Sequence, residues 1–183
     1  MPSATIKTEL LQGATGCSRP LFLIGMPGAG KTFWGREVAT AFNLPFTDLD
    51  EYIAGKEGAS INAIFATYGE QGFREREHKY LGEIVGRSQG CMIIACGGGT
   101  PCFQDNMEMM LKAGTVVYLK APIALLLEHI SADAAVRPLL RGKQHSAEYL
   151  DDLLRKRSRY YERANIILTP NLLSIATFEE IVK

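Results

Sequence analysis

Gly25-Met26-Pro27-Gly28-Ala29-Gly30-Lys31-Thr32 is the stretch whose reading decides the fold. It satisfies the pattern G-x-x-x-x-G-K-[ST] at every fixed position. Leu21–Ile24 ahead of it are apolar throughout and read as a short buried strand. The residues behind it, Thr32–Phe42, read as an amphipathic helix. A glycine-rich turn between a strand and a helix aims several backbone N–H groups at one point, and the helix dipole adds to that field. Such a loop holds a polyphosphate. The pattern places Lys31 on its outer phosphates and the Thr32 hydroxyl on Mg²⁺. Glycine-rich turns also serve steric ends alone. The fixed Gly-Lys-Thr ending and the flanking elements favour the phosphate reading.

Outward from the loop, short apolar or β-branched runs alternate with helical ones. The strand-like runs are Leu21–Ile24, Phe46–Leu49, Met92–Ala95, Thr115–Leu119 and Asn165–Leu168. The helical runs are Thr32–Phe42, Ile61–Tyr68, Glu70–Arg87, Met107–Ala113, Ile123–His129, Ala147–Arg163 and Phe178–Val182. Five strands separated by helices predict an α/β fold, a parallel sheet with helices on both faces. Ligands on such sheets bind beyond the carboxyl ends of the strands.

The chain has 183 residues, enough for one well-buried domain. Residues 1–18 are expected to be a flexible leader or a cloning remnant, and residues 19–183 one domain. A polar, basic stretch at about 131–146, with Asp133, Arg137, Pro138 and Arg141, reads as a closing lid. Lys and Arg together equal Asp and Glu in number, which argues against nucleic acid as a partner. No apolar run is long enough to span a membrane, and the first residues lack a signal-peptide core. Cys17, Cys91, Cys96 and Cys102 form no C-x-x-C pair, so metal clusters and disulfides are not expected. Reduced thiols and a cytoplasmic location follow.

Several constellations carry chemistry. Asp48-Leu49-Asp50 ends the second strand, and alternation along a strand puts both carboxylates on one side. One suits Mg²⁺ and the other suits a substrate hydroxyl proton. Alternatively, Asp50 caps a helix starting at Glu51. Arg74 and Glu77 lie three apart, the spacing of a surface ion pair. An arginine near a helix start opposes the dipole, which hints at an anion outside the helix. Gly97-Gly98-Gly99 after the third strand leave bare backbone for close approach of a ligand. In Arg155-Lys156-Arg157-Ser158-Arg159 only one cation need face a cleft.

Taken together, this set resembles shikimate kinase. The resemblance rests on Gly25–Thr32, Asp48-x-Asp50, Gly72-Phe73-Arg74-x-x-Glu77, Gly97-Gly98-Gly99, Arg137-Pro138-Leu139-Leu140, and Lys156-Arg157 with Tyr161 four residues on. It covers roughly Pro20 to Leu168. It implies a three-layer P-loop kinase fold with a central five-stranded parallel sheet flanked by helices, plus a lid. The implied activity moves the γ-phosphoryl group of ATP to the 3-hydroxyl of shikimate, in aromatic amino-acid biosynthesis, with Mg²⁺. A monomer is implied.

By the same resemblance, Gly28, Ala29, Gly30, Lys31 and Thr32 bind the nucleotide, and Arg137 swings in from the lid toward the transferred phosphate. Lys31, Asp50 and Arg137 are the catalytic set. Asp50 holds the reacting hydroxyl, and Thr32 and Asp48 serve the metal. Arg74 and Arg157 grip the shikimate carboxylate, while Gly97, Gly98 and Gly99 line the site. Pro27, Phe65 and Phe73 wall the substrate ring. The chain departs from the family at Ile130, with His129 beside it, where a basic residue often lies against adenine. A gluconate or nucleoside-monophosphate kinase is the near alternative. A regulator that has lost catalysis should lack the lysine, the hydroxyl or the acidic pair, and all three are present.

Overall fold

The structure, a computed structural model, describes residues 18–134 and 146–183. Five strands form one sheet: β1 (Leu21–Ile24), β2 (Phe46–Asp48), β3 (Ile93–Ala95), β4 (Thr115–Leu119) and β5 (Ile166–Leu168). Their spatial order is β2-β3-β1-β4-β5, and every pairing is parallel. β1 is central, paired with β3 on one side and β4 on the other, and is buried along its length. A strand covered on both faces has no side to give to water, which explains the unbroken apolar run Leu21–Ile24. The chain leaves β1 where the connections part in opposite directions, so the phosphate loop sits at the topological switch point.

Seven helices cover the sheet among the described residues: α1 (Lys31–Phe42), α2 (Leu49–Glu57), α3 (Ile61–Arg87), α4 (Asn106–Ala113), α5 (Ile123–Ala134), α6 (Ala147–Tyr161) and α7 (Ile175–Val182). α3 breaks at Gly69, whose φ of 68° and ψ of −174° are not helical. The two helical runs expected there are therefore real, joined by a kink that a glycine tolerates. α7 covers α1 through Phe178, fully buried, which stacks on Trp34 at 6.0 Å between ring centroids. No helix among the described residues is long and apolar enough to cross a membrane.

Three expectations need correction. α2 is a helix that the apolar periodicity did not announce, and its cap is Asp48, not Asp50: Asp48 Oδ1 accepts from Asp50 N at 3.0 Å and Glu51 N at 3.4 Å. Strand alternation does not set the sides of Asp48 and Asp50, because β2 ends at Asp48 and Asp50 lies in α2. Cys91 is disulfide-bonded, whereas Cys96 and Cys102 are free. Pairing depends on the path of the chain, which spacing does not reveal. Of the expected lid, residues 131–134 close α5 and Ser146 caps α6 through Tyr149 N. Arg137 and the rest of that segment, and residues 1–17 of the leader, lie outside the described residues.

Candidate active site

The phosphate loop is built from backbone that other residues would resist. Gly28 and Gly30 have φ of 80° and 82°, the left-handed region. A Cβ on Gly28 would also lie 2.9 Å from Leu126 O and from Ile130 Cγ1 of α5. α1 begins at Lys31 with no side-chain cap and no acidic residue in its first turn. Its first N–H groups therefore remain for an anion. Lys31 Nζ donates to Gly25 O at 3.0 Å and Met26 O at 2.9 Å, curled onto its own loop. Burial pulls its pKa down to about 8, opposed chiefly by Asp50. A polyphosphate beside it would favour the charged form.

The acidic pair converges on the loop by a route other than strand alternation. Asp48 ends β2, and the chain then turns into α2, so Asp50 occupies the first helical turn. Asp48 Oδ2 accepts the Thr32 hydroxyl at 2.6 Å. Burial first, then Asp48 and Glu77, raise the Asp50 pKa to about 6, with Lys31 and Arg74 pulling the other way. A carboxylate so poised can take a proton near neutrality.

On the far side of Asp50 lie the two arginines and the glycine triplet. Arg74 Nη1 pairs with Glu77 Oε2, and Glu77 is fully buried. What spacing reads as a surface ion pair is thus an interior one. Arg157 faces the same compartment from α6. Its neighbour Arg155 is engaged with Asp151 at 2.5 Å and Arg159 with Tyr160 at 3.0 Å, leaving Arg157 as the inward cation of the run. None of Gly97, Gly98 and Gly99 has a positive φ, so these glycines serve space, not conformation. A Cβ on Gly97 would stand 2.5 Å from Glu77 Oε1 and 3.5 Å from Asp50 Oδ1. On Gly98 it would meet Arg157 Nη1 at 2.9 Å and Pro27 Cδ at 3.0 Å; on Gly99 it would overlap the Arg74 guanidinium. Tyr161, one turn beyond Arg157, donates to Gly98 O at 2.6 Å and anchors the triplet. Phe65 and Phe73 stack at 4.4 Å between centroids, with the Arg74 guanidinium 5.3 Å from the Phe73 ring.

Two buried side-chain polar atoms among the described residues have no hydrogen-bond partner: Asp50 Oδ1 and Arg157 Nη1. An unsatisfied buried group costs about 1–3 kcal/mol. Both lie at this compartment, one acceptor and one cationic donor. A ligand bearing a hydroxyl and an anionic group would satisfy both.

A cavity of about 760 Å³ opens on the loop's other side, lined by Gly28–Phe33, Trp34, Leu125, His129, Pro170 and Leu173 among others. Lys31 and Thr32 border it, and neither Asp50 nor either arginine does. Sequence reasoning missed the α5 part of this wall, because apolar residues on a helix carry no motif, whereas Pro170 belongs to Thr169-Pro170-Asn171, the segment that the resemblance offers as an adenine loop. His129 is the exception in kind: its Nδ1 lies 2.7 Å from Gly28 O.

A switch-point phosphate loop with an uncapped helix start, a lysine, a hydroxyl–carboxylate pair and a buried carboxylate near pKa 6 defines a P-loop kinase of small molecules. Comparison with known proteins narrows the class. A family model described as shikimate kinase matches residues 27–183. A shikimate kinase of Azobacteroides pseudotrichonymphae is 42% identical over 151 residues, covering 81% of this chain and 88% of its own. The crystal structure of shikimate kinase from Bacteroides thetaiotaomicron superposes with a TM-score of 0.81 at 33% identity, covering 89% of this chain and 97% of that one. Shikimate kinase from Acinetobacter baumannii in complex with shikimate gives 0.77 at 35% identity, with coverage of 90% and 89%. The chain belongs to the shikimate kinase family. The activity that goes with this membership is ATP-dependent phosphorylation of shikimate.

Proposed function

We propose that this chain carries the γ-phosphoryl group of ATP to the 3-hydroxyl of shikimate with Asp50, Lys31, Arg74 and Arg157 as its working side chains. The observation that supports this most is the pair of unpartnered buried atoms, Asp50 Oδ1 and Arg157 Nη1, on either side of Gly97-Gly98-Gly99. Shikimate offers what they lack: hydroxyls for the carboxylate and a carboxylate for the arginines. Guanidinium groups bind a planar carboxylate through paired N–H donors, which a lysine cannot do. Glycine backbone leaves room for the ring, and Pro27, Phe65 and Phe73 wall it.

In the reaction the 3-hydroxyl oxygen bonds to the γ-phosphorus while the bond from that phosphorus to the bridging oxygen breaks. Asp50 takes the hydroxyl proton, and ADP leaves with the bridging oxygen. Lys31 moves from the loop carbonyls to the outer phosphates. Arg137, outside the described residues, is assigned to the transferred phosphate by its motif alone. Thr32 and Asp48 provide the hydroxyl and carboxylate oxygens that suit Mg²⁺. No group of three or more His, Cys, Asp or Glu converges among the described residues, so Thr32 and Asp48 are the residues that would hold the ion. The ion supplies charge neutralisation on the phosphates. A cytoplasmic monomer that binds no nucleic acid and no membrane is the reading we attach to it.

ATP-consuming turnover with shikimate, set against gluconate and a panel of hydroxy acids, tests the acceptor. Selective turnover of shikimate is expected. Preference for another acceptor removes the substrate assignment. Arg74→Ala is expected to weaken shikimate binding by about 2–5 kcal/mol, the range for a desolvated charge pair. An unchanged shikimate Kd would place Arg74 outside the pocket.

A further inference from the structure

Three polar or charged side chains are buried among the described residues: Glu77, Thr100 and Asn106. They are not scattered. All three belong to one hydrogen-bonded chain that begins at Arg74 and runs away from the substrate compartment. Arg74 Nη1 donates to Glu77 Oε2. Thr100 Oγ1 donates to Glu77 Oε1, the other oxygen of the same carboxylate. Asn106 Nδ2 donates to the Thr100 carbonyl at 2.8 Å. His78 Nδ1 lies 2.7 Å from Asn106 Oδ1. Because the Asn106 amide donates on one side, its oxygen must accept on the other, and His78 Nδ1 therefore carries the proton. Asn106 thus anchors the Thr100 backbone through its carbonyl, and the Thr100 hydroxyl donates separately to the Glu77 carboxylate.

This arrangement has a consequence for Arg74. A free carboxylate would take a guanidinium with both oxygens in a fork. Here the Thr100 hydroxyl holds the Glu77 carboxylate turned so that Oε1 faces Thr100, and Arg74 is met by Oε2. The guanidinium's Nη2 has only the distant, exposed carboxylate of Glu70, at 3.7 Å. One edge of Arg74 is fixed and the other is left for an incoming carboxylate.

We propose that Thr100, held by Asn106, is a positioning residue for substrate binding: it prevents Glu77 from chelating Arg74 and so keeps the arginine open to the substrate carboxylate. This rests on the reading of Arg74 as a carboxylate-binding residue. Thr100 does not line the cavity beside the phosphate loop, and its Oγ1 lies next to Gly97 of the triplet, so its effect is expected on shikimate and not on ATP. Replacing it by valine keeps the shape and removes the hydroxyl. Glu77 then loses a partner for Oε1 and turns that oxygen to Arg74.

The test is steady-state kinetics of Thr100→Val, Thr100→Ser, Asn106→Leu and Arg74→Ala, varying shikimate and ATP separately. Thr100→Val is expected to raise the shikimate KM on the order of tenfold, the effect of a hydrogen bond to a charged group. The ATP KM should stay within about twofold of wild type, since Thr100 does not line the cavity beside the phosphate loop. Thr100→Ser restores the hydroxyl and should restore the KM. Asn106→Leu should move the KM in the direction of Thr100→Val. Circular dichroism of each variant establishes folding, and the serine variant carries the decision if valine does not fold: a serine KM as high as that of Arg74→Ala overturns the proposal. It is equally overturned if Thr100→Val leaves the shikimate KM unchanged while Arg74→Ala raises it, or if the valine variant raises both KM values alike. If Arg74→Ala itself changes nothing, the reading of Arg74 fails first, and the proposal falls with it.

Discussion

Asp50→Asn should make the protein more stable and nearly inactive at the same time, and the pH dependence of the gain is the diagnostic. Burial lifts the Asp50 pKa from 3.8 to about 6, with Asp48 and Glu77 adding to the rise. The fold therefore favours the neutral carboxyl, and ionising it costs stability. The sign is that of a raised pKa: the favourable contribution is present below pH 3.8 and is lost as pH rises through about 6. At 1.36 kcal/mol for each pH unit between the two values, the loss is about 3 kcal/mol at pH 7.5. Asparagine keeps the shape without the charge. Its advantage over wild type is thus about 3 kcal/mol at pH 7.5 and shrinks to about 1 kcal/mol at pH 4.5. For a chain of this size the pH 7.5 gain corresponds to a Tm increase of about 6–12 °C. Urea denaturation at the two pH values reads both numbers, provided the slope is unchanged. In the same protein kcat should drop by orders of magnitude, because the proton acceptor is gone. The reasoning is refuted if the variant is no more stable at pH 7.5, or if its gain is the same at pH 4.5. Near-normal kcat would separately remove Asp50 from the chemistry.

Three further outcomes are expected. Lys31→Ala should abolish turnover while leaving shikimate binding intact, which calorimetry with shikimate alone and an ADP-release assay separate; normal turnover would be fatal to the loop assignment. Gly99→Ala places a methyl group in the Arg74 guanidinium, so kcat/KM for shikimate should fall about tenfold or more with the ATP KM unchanged, and unaltered kinetics would show that Arg74 can move away freely. Trp34 is the chain's single tryptophan, stacks on Phe178 and lines the cavity beside the phosphate loop, so its fluorescence should respond to ATP and not to shikimate alone; a silent response to saturating ATP would place the nucleotide elsewhere.

Much of this site is legible in residue order because its parts are local. Gly25–Thr32 is one turn of backbone, and the left-handed conformations that Gly28 and Gly30 adopt are written in their lack of a Cβ. The strand runs and the break at Gly69 follow from composition in the same way. The resemblance to a known family then assembled Asp50, Arg74, Gly97-Gly98-Gly99 and Arg157, whose distances in sequence give no hint that they meet.

What residue order alone determined, then, is the phosphate loop, the alternation of strands and helices, and the inventory of charged groups. Tertiary structure decided their company. It put β3 between β1 and β2, brought Asp50 to the loop through a helix capped by Asp48, and buried Glu77 so that an ordinary i,i+3 pair became an interior one. It also aligned Thr100, Asn106 and His78 behind Arg74, and left Asp50 Oδ1 and Arg157 Nη1 without partners. The reason is physical. Backbone conformation is set by neighbours along the chain, whereas the charge state of a carboxylate and the free edge of an arginine are set by whatever the packed fold places a few ångströms away.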